Sequence, residues 1–419
     1  MSANDTVLRD LAGKLPARPN ARLRMLWIVC VVIGAASFAF LLFRDPVRAW
    51  GSWAINLFYF VGIAEGGVVL ASAIRLSNGR WGGPVLRIGE SFSSFMPFGM
   101  GAAVVLLAAG GSTYLPWMKH VEPRQAPFLN VPFLWIRTIG GLALFWWLSR
   151  KLARTSLRAD LHLLKDHVSP ERKAEYEKLC ANWKGDEAEK AWYRHEVAHL
   201  SPQLVLTFAV FFSVLSWDLI MALTPNWVSD LFGWFCYGGA FITGIAMTTL
   251  IAVQARRRMA LEAYITTNMF WDLGKILFAW SIFWGYLFWS QYLPIWYANM
   301  PEETWWVFLR FEDPWRPLAF TVFTMVFVIP LIFLLNKTSK TNPVLLTGFC
   351  LVSLTGIWLE RHVLVMPSLN PDQVWLGLPE VGVMLGFLGL FGWSVQGFLS
   401  RYPIVRVADV LEGAGGHGH

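Results

Sequence analysis

The chain has 419 residues, of which 55% are hydrophobic, 16% aromatic and 15% charged, with a formal net charge of +7. That balance excludes a set of ordinary soluble domains and specifies a membrane protein. The basic excess calls for no nucleic acid, because a positive face beside anionic lipid accounts for it.

Residues 1–24 are polar and basic and are read as a cytoplasmic N-terminal segment. Ten apolar runs follow, each long enough to cross a hydrocarbon core of roughly 30 Å. They cover 25–43, 52–74, 88–110, 128–149, 202–223, 230–253, 268–292, 317–336, 344–365 and 379–399. The first run is followed by Arg44-Asp45-Pro46 rather than a small-residue cleavage site, which predicts a retained helix and not a signal peptide. Trp and Tyr at the run ends predict interfacial belts.

The expected fold class is an all-α polytopic membrane protein of about ten transmembrane helices. Two four-helix bundles, 52–223 and 230–365, stand between peripheral helices 25–43 and 379–399, with a cytoplasmic tail at 400–419. The division rests on a faint repeat, YLPW (Tyr114 to Trp117) against YLPIW (Tyr292 to Trp296), a pattern that interfacial aromatics and proline also produce by chance. Segment 150–200 mixes charges of both signs at helical spacing and predicts a short helical hairpin broken at Ser169-Pro170 and near Gly185. The glycine-rich end of the tail, with His417 and His419, predicts flexibility.

Basic residues set the expected sidedness. Arg9, Lys14, Arg18, Arg22 and Arg24 precede the first run, and Arg75, Arg80 and Arg87 separate the second and third. The 150–200 segment, Arg256 to Arg258, Lys337, Lys340, Arg401 and Arg406 fall on the same side of ten spans, so both termini are expected in the cytoplasm. The opposite loops are poorer in Lys and Arg and carry Pro301 to Thr304 and Phe311 to Trp315.

His195 to His199 spell HEVAH, the H-E-x-x-H pattern of zinc proteases, and Asp372 could serve as a distant third ligand. Topology argues against it: HEVAH sits at the cytoplasmic end of the fifth span and Asp372 in an outer loop, a bilayer apart. No metal site and no catalytic residue is therefore assigned. Cys30, Cys180, Cys236 and Cys350 are isolated, which supports neither an iron-sulfur cluster nor covalent haem in this chain. Of eight histidines only His362 lies in a predicted span, which argues against a haem held between two transmembrane histidines.

Charged residues inside spans are costly and are the functional candidates. Toward the cytoplasm lie Glu65, Glu90, Asp272 and Lys275; toward the outside lie Arg137, Asp218, Glu360, Arg361 and His362. Asp272 and Lys275, three apart, share a helix face and make either a structural ion pair or part of a proton relay. Glu65, beside Gly62, Gly66 and Gly67, is either a proton carrier or a permanently protonated, hydrogen-bonded carboxyl. Asp218 and Glu360 are the carboxylates best placed to compensate Arg137. The outer group holds a proton acceptor, cationic donors and, in His362, a side chain that ordinarily titrates near neutrality, the ingredients of a quinone site or of a structural network.

The stretch NMFWDLGKILFAWSIFWGYLFWSQYLPIWYANMPEET, Asn268 to Thr304, closely resembles the seventh-helix region of the ActF-like, NrfD-type membrane subunits of alternative complex III, the bacterial quinol:cytochrome c oxidoreductase. Ser201 to Phe241, with SWD and TPNW, is similar to the fifth and sixth helices of that family. GIWLERHVLVMPSL, Gly356 to Leu369, is partly similar to the W-x-E-R stretch of the sister subunit.

The resemblance implies two four-helix bundles with two flanking helices in the bacterial inner membrane. It implies a second NrfD-like subunit, a periplasmic iron-sulfur subunit and cytochrome c subunits as partners, with the iron-sulfur clusters and haem c on those partners. Quinol oxidation would occur mainly at the sister subunit, and this chain would pack against it and conduct protons, with Glu65, Glu90, Asp218, Asp272 and Lys275 as pathway candidates. Two alternatives stay open: a quinone-binding NrfD-type anchor of another reductase, and a secondary transporter.

Overall fold

The computed structural model describes residues 3–15 and 20–415; 82% of it is helix, and no strand occurs among the described residues. In chain order the helices are α1 (Ala3–Gly13), α2 (Ala21–Arg44), α3 (Pro46–Leu76), α4 (Gly83–Tyr114), α5 (Val131–Leu164), α6 (Pro170–Leu179) and α7 (Asp186–Leu223). The second half holds α8 (Phe232–Arg258), α9 (Thr267–Ala298), α10 (Pro301–Phe311), α11 (Arg316–Phe333), α12 (Lys337–Thr341), α13 (Pro343–Leu369), α14 (Leu378–Arg401) and α15 (Val407–Gly415).

Nine of these described helices are long and apolar enough to cross a membrane, so the chain is an all-α, multi-pass membrane protein. The remaining predicted span, 268–292, lies on α9, which has the length, 32 residues, but whose apolarity is diluted by Trp271, Trp280, Trp284, Trp289, Tyr286 and Tyr292.

Helix boundaries follow local chemistry. Pro46 has no amide hydrogen to continue α2, and Asp45 instead caps α3, its carboxylate accepting from the Arg48 amide at 3.1 Å. Asn342 and Pro343 do the same for α13, with the Asn342 carbonyl accepting from the Val344 amide at 2.9 Å. Asn299, in the left-handed region at φ 48°, ends α9 and lets Pro301 begin α10.

α3 is the hub: 94% of its most apolar stretch is buried, against 17% for α2. It packs along α8, α4, α7 and α13. The close approach depends on glycine. A Cβ at Gly244 of α8 would overlap the Gly66 carbonyl carbon, and one at Gly89 of α4 would overlap the Gly67 carbonyl oxygen, so three backbones meet around Gly66-Gly67. The outermost helices pair in the same manner: α2 lies along α14, with Gly34 against Gly386 and Ser37 against Gly382.

Three expectations are revised. Segment 150–200 is helical and broken at Ser169-Pro170 and at Gly185 as expected, but its outer helices are the ends of α5 (34 residues) and α7 (38 residues), and only α6 is independent. At 1.5 Å per residue both helices reach about 50 Å, well past a roughly 30 Å core. The tail beyond α14 packs back on the protein, with Val405 and Val407 buried and α15 running to Gly415, while the end of the glycine-rich stretch, with His417 and His419, lies outside the described residues. The repeat does not extend to local structure: Tyr114 ends α4, whereas α9 continues through Pro294 to Ala298.

A methyl group at Gly244 must push two helices apart, whereas one at Gly348 meets nothing within 4 Å. Gly244→Ala should lower the melting temperature of the detergent-solubilised protein by several degrees, in line with about 1–3 kcal/mol for overpacking. Gly348→Ala should leave it unchanged or raise it slightly. Equal effects would show that the crossing is not tight.

Candidate functional site: two buried ion-pair networks and an aromatic recess

Glu90 lies on the first turns of α4, where Arg87, three residues earlier, reaches its Oε2 at 2.6 Å. Arg75 of α3 pairs with the other carboxylate oxygen. Arg87 also binds Asp160 Oδ2 at 2.5 Å, and Asp160 Oδ1 accepts from the Ala408 amide at 3.0 Å. Arg406 pairs with Asp409 at 2.7 Å and stands 4.3 Å from the Tyr193 ring centroid. Each carboxylate here is matched by a guanidinium, so the network ties α3, α4, α5 and the C-terminal segment together. Glu90 is a clasped ion in it.

Arg137 of α5 grips Asp218 of α7 with both nitrogens, Nε to Oδ2 at 3.1 Å and Nη2 to Oδ1 at 2.5 Å. Its Nη1 donates to the Phe128 carbonyl at 2.9 Å, and the Phe128 and Phe133 rings lie 3.9 and 4.2 Å away. A π-helical turn, Phe208–Phe212, precedes Asp218 on α7 and changes the register of the residues that follow, Leu215 and Asp218 among them.

These two residues line a small cavity of about 10 Å³ together with Thr138 and Glu65. Glu65 is buried, and no described residue hydrogen-bonds or ion-pairs with its carboxyl. α3 thus brings Glu65, assigned to the inner group, into one cavity with Arg137 and Asp218 of the outer group. Thr138 Oγ1 is also buried without a partner.

The other members of the outer group lie elsewhere, on α13. Glu360 Oε1 accepts from Trp284 Nε1 at 3.2 Å. Its Oε2 stands 2.8 Å from Arg361 Nη1, near enough for charge pairing but with neither atom in a hydrogen bond. Arg361 Nη2 donates to the Cys236 carbonyl at 2.9 Å, and its guanidinium lies 4.9 Å from the Phe58 ring. His362 Nδ1 lies 3.1 Å from the Trp358 carbonyl and its Nε2 is buried without a partner. The expected five-residue cluster is thus two sites, and Asp218 alone of the two candidate carboxylates compensates Arg137.

Glu360 faces a partly open recess of about 70 Å³ between α8, α9, α10, α11 and α13. Trp284, Phe288, Tyr292, Trp306, Phe311 and Arg310 are among its lining. Arg310 is the residue that sequence reasoning missed. It is fully buried on α10, where Nη1 donates to the Trp306 carbonyl at 2.9 Å and Nη2 to the Leu364 carbonyl at 2.6 Å and Ser368 Oγ at 2.8 Å. Its guanidinium lies 3.4 Å from the Trp306 ring centroid, and no carboxylate pairs with it among the described residues. Burial alone pushes Arg310 well below its ordinary pKa. A guanidinium nevertheless keeps its proton, so it stands as uncompensated positive charge. The available signal was Trp306 and Arg310 at i,i+4 spacing, which puts the cation on the aromatic face of an amphipathic helix.

Asp272 and Lys275 form the ion pair that their spacing allows, at 2.5 Å and partly exposed. In HEVAH, Glu196 pairs with Lys151 at 2.8 Å and the two histidine rings stand 4.5 Å apart. Among the described residues no group of three or more His, Cys, Asp or Glu side chains is arranged to hold a metal. No protein-family model matches the chain, and no curated protein is significantly similar to it.

Arg137→Met should leave Asp218 as an unpaired buried charge and destabilise the protein by about 3–5 kcal/mol. Arg137→Met with Asp218→Leu should recover most of that loss in a thermal-unfolding double-mutant cycle. Strictly additive losses would show that the two side chains are uncoupled.

Proposed function

We propose that this chain is an ActF-like, NrfD-type membrane subunit of a quinol:cytochrome c oxidoreductase of the alternative complex III class. It resides in the bacterial inner membrane with both termini cytoplasmic, supports quinol oxidation by the complex and conducts protons. The motif resemblance of Ser201 to Phe241 and Asn268 to Thr304 supports this reading.

The observation that carries it is the aromatic recess lined by the Glu360 carboxylate and by Arg310, a guanidinium with no carboxylate partner among the described residues. A quinone head group needs an aromatic slot, a donor for a carbonyl oxygen and an acceptor for a hydroxyl proton. Trp284, Phe288 and Trp306 supply the slot, Arg310 the positive charge and donor, and Glu360 Oε2 the acceptor. The electrons leave through the iron-sulfur clusters and haem c of partner subunits, which the same resemblance implies. Glu65, Thr138 and Asp218 around one polar cavity give a short route for proton transfer within the first bundle.

Extraction of the tagged chain in mild detergent should bring with it c-type haem, an iron-sulfur subunit, a second NrfD-like subunit and quinol:cytochrome c activity. A lone colourless protein that catalyses coupled transport after reconstitution would replace this reading with a transporter.

Within the active complex, Glu360→Gln should weaken quinone binding at this recess with assembly intact, and lower turnover only in so far as this second site, beside the main one on the sister subunit, contributes to it. Glu65→Gln should slow turnover and reduce the proton yield per electron pair. Unchanged rates and stoichiometry in that variant would remove Glu65 from the route.

A further inference from the structure

We propose that the basic end of α9 binds the phosphate-bearing headgroup of an anionic membrane lipid, held by Lys275, Lys337 and Lys340. Trp271 organises two of these cations: Lys275 Nζ lies 4.4 Å and Lys337 Nζ 4.6 Å from its ring centroid. The two ammoniums are therefore no further apart than those two distances laid end to end. Like charges at such range repel unless an anion sits between them.

Lys340 completes the set from the other end of α12. It is only 7% exposed, and its stem lies across α9 at Gly274, where a Cβ would come within 2.7 Å of Lys340 Cγ. No described residue hydrogen-bonds or ion-pairs with its ammonium, and its nearest described partner is the Phe278 ring at 5.6 Å. Burial, and then the Lys275 charge, push its pKa down from the ordinary value. Three cations are answered by one carboxylate, Asp272, which is already engaged by Lys275.

The surroundings select a lipid. The chain entering α12 exposes Ile332, Phe333 and Leu335, and the chain leaving it exposes Val344 and Leu345. An acyl chain can follow those faces while the phosphate stays on the lysines. Basic pockets between membrane helices hold anionic headgroups by this division of labour, with Trp at the same depth.

The test uses the full chain, in whatever complex it is extracted, exchanged into nanodiscs of phosphatidylcholine alone or with phosphatidylglycerol or cardiolipin. Native mass spectrometry and thermal stability should report a retained anionic phospholipid and a stabilisation that phosphatidylcholine does not give. Lys337→Gln should weaken retention roughly fivefold, as expected for one basic residue near an anionic surface. Lys340→Met, which keeps the packed stem, should weaken it at least as much. If Lys340→Met fails to fold, exposed Lys337→Gln carries the test alone. Retention equal to wild type in Lys337→Gln would overturn the site. Equal stabilisation by inorganic phosphate in phosphatidylcholine discs would assign it to free anions and overturn the lipid.

Discussion

Everything in this protein is arranged around the point where α3 meets α8 and α4 backbone to backbone. Gly66-Gly67 of α3 faces Gly244 on one side and Gly89 on the other, and any side chain there would intrude on a carbonyl group. In lipid there is little hydrophobic force between helices, so association depends on close packing of this kind. Once three backbones are in contact, the side chains one turn away on α3 lose access to lipid and to the surface. Glu65 is the residue next to that crossing, and its isolation follows from it.

The buried charges divide into those that hold the assembly and those left with unused capacity. Arg75, Arg87, Glu90 and Asp160 satisfy one another, and so do Arg137 and Asp218. Such pairs contribute little net stability against an apolar alternative, but removing one member is costly, which makes them efficient at fixing helix register. Glu65, Glu360 Oε2 and Arg310 are different. Each is enclosed, none is fully paired, and each lines a cavity. Unused polar capacity inside a membrane bundle is expensive and is the physical reason for placing function there.

The two cavities lie in different halves of the chain and differ in character. The one at Glu65 is small and lined by several polar groups, suited to protons. The recess at Glu360 is larger and aromatic, suited to a planar ring. A subunit that handles protons in one half and a quinone-like ring in the other needs no redox centre of its own, provided that partners accept the electrons. That division is what the proposed respiratory role draws on; a transporter would place its substrate and ion sites together at the midplane.

The sequence by itself determined most of the membrane helices and their apolar character, because hydrophobic run length acts locally, but not where α5 and α7 end outside the membrane. It also determined the Asp272–Lys275 pair, since residues three apart on a helix must be neighbours, and it narrowed the partners of Arg137 to Asp218 and Glu360. Only the tertiary structure decided the rest. Glu65 shares a cavity with Arg137 and Asp218 because α3 packs against α7, a fact that no spacing within α3 contains. Glu360 and Arg310, fifty residues apart, line one recess because α10 packs against α13. Arg310 itself was hidden in a stretch read as an outer loop. Charge, spacing and propensity are properties of one segment, whereas a cavity is made by the faces that several segments turn toward one another, and that choice is made by packing.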